Sequence, residues 1–124
     1  MDSGGGPRIL CLYGQLGSGK TTFTQGFARG LGITSRLLSP TFIIVRRYDI
    51  PSSEQFLYHI DLYRLKNVTE MEELGLDEIF TDLRSYVVIE WAEKLGELLP
   101  KHRIDIRFTV VDYGKHKITI TKGN

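Results

Sequence analysis

Residues 14–21, Gly14-Gln15-Leu16-Gly17-Ser18-Gly19-Lys20-Thr21, fit the pattern G-x-x-x-x-G-K-[ST], and no other stretch of the chain constrains its fold as tightly. The pattern asks for a strand before it and a helix after it. Its backbone N–H groups then curl around a polyphosphate while the helix N-terminus adds its positive dipole end. Both flanks are present: Arg8-Ile9-Leu10-Cys11-Leu12-Tyr13 reads as a buried strand, and Thr22 to Leu31 reads as a helix with Phe23, Phe27 and Leu31 along one face. Gly14 and Gly19 permit backbone conformations and close approaches that a Cβ would obstruct. Lys20 supplies a mobile charge for the β- and γ-phosphates of a nucleoside triphosphate, and the Thr21 hydroxyl supplies a ligand for Mg²⁺. Gly14, Leu16, Gly17, Ser18, Gly19, Lys20, Thr21 and Thr22 are therefore the expected phosphate-binding residues. The competing reading is a Gly-rich turn capping an ordinary helix, which the strand–loop–helix setting disfavours.

Downstream, Phe42-Ile43-Ile44-Val45 begins a second strand that runs to about Tyr48, and Phe56 to Tyr63 forms a third, paired antiparallel with the second. Glu70 to Leu76 and Asp77 to Phe80 read as short helices, the first capped by Thr69. Tyr86-Val87-Val88-Ile89 is an apolar strand ending on Glu90, and Ala92 to Leu99 is helical up to Pro100. Residues 104–110 and 117–121 alternate with period two around Asp112-Tyr113-Gly114, predicting a hairpin with one wet face. The expected fold is α/β: a P-loop NTPase-like three-layer sandwich with a mixed parallel and antiparallel sheet, one domain over residues 8–124. Residues 1–7 read as a flexible tail or a remnant outside the fold.

Charge and cysteine usage narrow the function. A formal net charge of +1 over 124 residues gives no global field for gripping a polyanion, so contact with nucleic acid must be local or supplied by a partner. The single Cys11 excludes a disulfide framework and reads as a buried, inert thiol. No apolar run approaches the roughly 18 residues that span a bilayer, and no secretory signal is present. The expectation is no membrane contact and a cytoplasmic place, where triphosphates are found.

A phosphate loop needs carboxylates and a nucleophile-orienting group before it hydrolyses anything, and these belong at the carboxyl ends of the neighbouring strands. Glu90, closing the run Val87-Val88-Ile89, is the first candidate; its alternative is a solvated acid opening the next helix. Asp61, closing Leu57-Tyr58-His59-Ile60, is the second, and its alternative is an edge-strand charge paired with Arg64. Thr41, in the stiff loop Ser39-Pro40-Thr41-Phe42, sits where nucleotide switches place a threonine that senses the γ-phosphate, or else it satisfies turn backbone. His59 reads as packed or hydrogen-bonded rather than catalytic, and Trp91 as a core edge or a stacking surface for a base or partner. Arg46, Arg47, Arg64 and Lys66 form a solvated face or a phosphate or RNA contact. With no N-K-x-D segment to select guanine, adenine is the expected base.

The run from Gly14 to Phe23, then Ser39-Pro40-Thr41-Phe42, then His59-Ile60-Asp61-Leu62-Tyr63-Arg64-Leu65, then Val88-Ile89-Glu90-Trp91-Ala92-Glu93, resembles the TsaE (YjeE) family. These are small bacterial ATPases that support threonylcarbamoyl-adenosine modification of tRNA. The resemblance covers nearly the whole chain, although family members usually carry a further strand and helix before the phosphate-loop strand. It implies ATP and Mg²⁺ as cofactors, with Lys20 and Thr21 on phosphates and metal. Thr41, Asp61 and Glu90 would complete the hydrolytic site, Glu90 also serving the metal, with Trp91 beside it. It implies TsaD and TsaB as partners, tRNA reached through them, and hydrolysis that resets the transfer complex. Two rivals stay open: a small-molecule P-loop kinase, which needs an acceptor pocket and lid, and a nucleotide-dependent binding subunit whose turnover is incidental.

Overall fold

The computed structural model describes residues 8–15, 17–35 and 45–122. Their elements are β1 (Ile9–Tyr13), α1 (Lys20–Gly30), β2 (Val45–Asp49), β3 (Phe56–Asp61), α2 (Val68–Glu73), α3 (Leu76–Thr81), β4 (Ser85–Glu90), a 3₁₀ segment (Ala92–Leu98), β5 (Ile104–Val110) and β6 (His116–Lys122). The six strands form one sheet in the order β2-β3-β4-β1-β5-β6. The four inner strands are parallel, and β2 and β6 run antiparallel to β3 and β5 at the two edges. This is the mixed three-layer α/β arrangement that the sequence predicts.

Strand alternation divides the core in two. Ile9, Cys11 and Tyr13 of β1 face one side, with Val87, Ile89, Met71, Leu76 and Leu95, beneath α2, α3 and the 3₁₀ segment. Leu10 and Leu12 face the other side, with Val88, Leu57, Ile106 and Phe108, beneath α1. All five residues of β1 are buried, as a central parallel strand covered on both faces requires. Helix α1 lays Lys20, Thr24 and Ala28 directly on the sheet. Phe23, Phe27 and Leu31 are half-buried shoulders packed against that cluster. The small side chains at 24 and 28 bring the helix close, and the rings fill its flank.

On the opposite face, Asp105 is buried and accepts from Tyr13 Oη at 2.7 Å and Arg103 Nε at 2.9 Å, tying β5 to β1. Burial, followed by the nearby Asp105 charge, pushes the Cys11 thiol up to about 12, which makes it the inert group expected from its position.

Two local readings are corrected. Helix α2 is capped by Asn67 and not by Thr69: the Asn67 side chain accepts from Glu70 N, while the Glu70 carboxylate accepts from Asn67 N and Lys66 N. One acidic side chain thus satisfies two backbone donors ahead of the helix, and the start moves two residues earlier. The segment after β4 is a 3₁₀ helix bent at Gly96 (φ 54, ψ −123) rather than one continuous helix. Among the described residues, no helix is long and apolar enough to cross a membrane.

Candidate active site

The sheet register brings the predicted acids to the phosphate loop. Asp61 pairs with Glu90 across β3 and β4, and Glu90 pairs with Leu12 across β4 and β1. The ends of three parallel strands thus place both carboxylates and the loop that follows Tyr13 along one edge. Glu90 shares strand parity with Val88, and Asp61 with His59 and Leu57. These side chains therefore lie on the sheet face that α1 covers.

Close contacts require glycine at Gly14, and a positive φ favours it at Gly19. A Cβ on Gly14 (φ 152) would stand 2.6 Å from Ser18 Oγ and 2.8 Å from the Phe108 carbonyl oxygen. Gly19 takes φ 110 as the residue that opens α1, and its carbonyl accepts from Phe23 N at 2.9 Å. Ser18 is buried, and its Oγ has no hydrogen-bond partner among the described residues. A buried hydroxyl left unpaired costs free energy, so a polar ligand within the loop would relieve it. The side chains of Thr21 and Thr22, at the start of α1, are exposed.

Lys20 is only 5% exposed, so its ammonium must find compensation locally. It donates to the Gly14 carbonyl and, at 3.4 Å, to that of Gln15, and it lies 3.8 Å from the centroid of the Trp91 ring. Burial draws its pKa below the ordinary lysine value, and Glu90, Glu93 and Asp61 act in the opposite direction. The lysine therefore rests on its own loop and an aromatic face, within electrostatic reach of both candidate acids.

Glu90 is 4% exposed and is held by His59, whose Nε2 lies 2.6 Å from Glu90 Oε2. A carboxylate oxygen accepts, so the ring donates its Nε2–H; His59 Nδ1 is buried with no partner among the described residues. Glu90 is therefore a buried, oriented acid and not a solvated helix opener. Trp91 follows it at φ 60, ψ 41, a left-handed conformation that costs a bulky residue about 1–3 kcal/mol. Its ring lies 5.1 Å from that of Tyr63, which leaves the indole between Tyr63 and Lys20 at the edge of the site.

Asp61 is half-buried and accepts from Tyr63 N at 2.9 Å. Desolvation, with Glu90 adding to it, raises its pKa above the usual carboxylate value. A raised folded-state pKa favours the protonated acid. The associated stability is complete below the ordinary carboxylate pKa and is lost as pH rises through the folded value. Above the folded value the ionised Asp61 therefore weakens the fold. Asp61→Asn keeps an oxygen for Tyr63 N and is expected to raise the thermal midpoint at pH 7, with a smaller gain in acid. Melting curves at the two pH values check this, and an unchanged or lower midpoint at pH 7 would contradict it.

Leu16, Thr41 and the whole Ser39–Phe42 motif lie outside the described residues. One contact near the loop has no sequence signal: His116, at the start of β6, reaches the Ser18 carbonyl with Nδ1 at 2.9 Å. Among the described residues, no cluster of three or more His, Cys, Asp or Glu side chains forms a ready-made metal cage.

The profile of the family described as threonylcarbamoyl adenosine biosynthesis protein TsaE matches residues 3–118. The chain belongs to the TsaE family. Among curated TsaE proteins, that of Bacillus subtilis (strain 168), a tRNA threonylcarbamoyladenosine biosynthesis protein, is 44% identical over 116 residues, covering 91% of this chain and 68% of the relative. The Borreliella burgdorferi TsaE, of the same description, is 42% identical over 109 residues, covering 87% of this chain and 77% of the relative. The crystal structure of "Bacillus subtilus YdiB" superposes with a TM-score of 0.74 at 37% identity, covering 94% of this chain and 68% of that one. The TsaE fold is thus shared, and the family's name ties it to threonylcarbamoyl-adenosine biosynthesis on tRNA.

Proposed function

We propose that this TsaE-family chain binds ATP with Mg²⁺ and hydrolyses it weakly, stimulated by partners, to reset the complex that installs threonylcarbamoyl-adenosine in tRNA. One observation carries the reading: a phosphate loop whose buried Lys20 lies within electrostatic reach of Glu90 and Asp61. The loop N–H groups and Lys20 would bind the β- and γ-phosphates, and the unpaired Ser18 hydroxyl would gain a partner there. Thr21 and Glu90 would hold Mg²⁺, which supplies charge neutralisation to the transferring phosphoryl group. Glu90, fixed by His59, would orient the attacking water, and Asp61 would add negative charge beside it. Thr41 would sense the γ-phosphate. A net charge of +1 supports a tRNA reached through TsaD and TsaB rather than gripped directly, and the cytoplasm is where such a reaction belongs.

Phosphate release tests this, measured alone, with a TsaB–TsaD complex, and with small-molecule acceptors. Slow release alone that rises with the complex is expected. Phosphorylation of an acceptor would replace the hydrolase reading with a kinase. ATP-dependent complex formation without release would leave a binding subunit.

A further inference from the structure

We infer that His116 is a positioning residue that locks the orientation of the phosphate loop, an inference that rests in part on the nucleotide reading above. The Ser18 carbonyl oxygen lies 2.9 Å from His116 Nδ1. Because a carbonyl only accepts, the ring donates its Nδ1–H. A trans peptide is planar, so the Ser18 C=O and the Gly19 N–H point to opposite sides of one unit. Holding the carbonyl toward β6 therefore aims the Gly19 N–H away from β6, at the mouth of α1 where an anion would be received.

The lock is needed because of what flanks it. Turning that peptide over changes ψ at Ser18 and φ at Gly19, and glycine tolerates either sign of φ. Gly17 and Gly19 already sit at φ 77 and 110. Glycines let the loop adopt the cradle but do not hold it there; a donor from outside the loop does. The hairpin is a firm base for that donor. His116 pairs with Val110 in the β5–β6 ladder, and β5 pairs with β1, the strand that feeds the loop. Phe108 of β5 packs beside the loop: its Cδ2 lies 3.7 Å from a Cβ placed on Gly19, and its carbonyl oxygen lies 2.8 Å from one placed on Gly14.

The test compares His116→Ala and His116→Asn with the parent chain. The asparagine amide nitrogen occupies nearly the place of Nδ1 and donates as it does. In calorimetric titration with Mg²⁺ and ADP, His116→Ala is expected to lose about three- to tenfold in affinity, the size of one neutral hydrogen bond. His116→Asn is expected to recover most of it. Alanine binding as tightly as the parent, or alanine and asparagine losing equally, overturns the inference. The Gly19 amide resonance decides the matter without nucleotide. It should be one sharp line in the parent and in His116→Asn, and broadened or doubled in His116→Ala; an unchanged line in His116→Ala overturns the lock. A parent chain that fails to bind ADP counts against the nucleotide reading alone, and the resonance still judges the peptide.

Discussion

Lys20→Ala should abolish tight ATP binding while leaving the protein folded. The ammonium is buried and held by two loop carbonyls and the Trp91 face, which keeps it at the mouth of the loop. Hydrogen bonds to charged groups are worth about 1.5–3 kcal/mol each, and losing two of them to phosphate corresponds to a fall of about a hundredfold or more in affinity. Folding should survive for a reason visible in the same contacts. Burial already lowers the lysine pKa, which marks its charged form as a cost to the fold rather than a support. Titration with a fluorescent ATP analogue, with circular dichroism to verify folding, decides it. Near-parent affinity in a folded variant would mean that the loop does not bind phosphate.

The parts of this site that were legible in the sequence are those in which chemistry is encoded locally. Gly14 to Thr21 carries its own backbone requirements, and the apolar run Val87-Val88-Ile89 ends at the carboxyl end of its strand, which puts Glu90 beside the loop. The parallel pairing of β3 with β4, which sets Asp61 next to Glu90, is written in neither strand alone. Contacts made across the sheet or between distant segments were not legible. Ser18 and His116 are 98 residues apart, and nothing in the period-two pattern of the hairpin distinguishes His116 from its neighbours. The left-handed turn at Trp91 violates the local preference of a bulky residue, and its ring is placed by packing against Tyr63, Lys20 and the core cluster beneath α2 and α3. At α2, both Asn67 and Thr69 have an acid three residues later, so spacing alone does not choose between them. The choice falls to Asn67 because Glu70 also accepts from Lys66 N.

Glu90→Gln should keep the fold and nucleotide affinity but remove hydrolysis. The glutamine amide oxygen can still accept from His59 Nε2, so the buried contact survives in neutral form and the site is not reshaped. What disappears is the negative charge, which in the proposed function holds Mg²⁺ or takes a proton from the attacking water. An interaction that matters more in the transition state than in the bound state shows itself as lost turnover with little change in binding. General-base assistance contributes typically about 10²–10⁴-fold, so release stimulated by the partner complex should fall by at least two orders of magnitude. The paired measurements are ATP-analogue affinity and phosphate release on the same preparation. His59→Gln gives the companion result: with the Glu90 carboxyl kept but no longer fixed by the ring, turnover should drop less than in Glu90→Gln. Unchanged release in Glu90→Gln with the partners present would remove this carboxylate from the chemistry. Its bond to His59 would then be a structural link between β3 and β4, and Asp61 would become the acid to test.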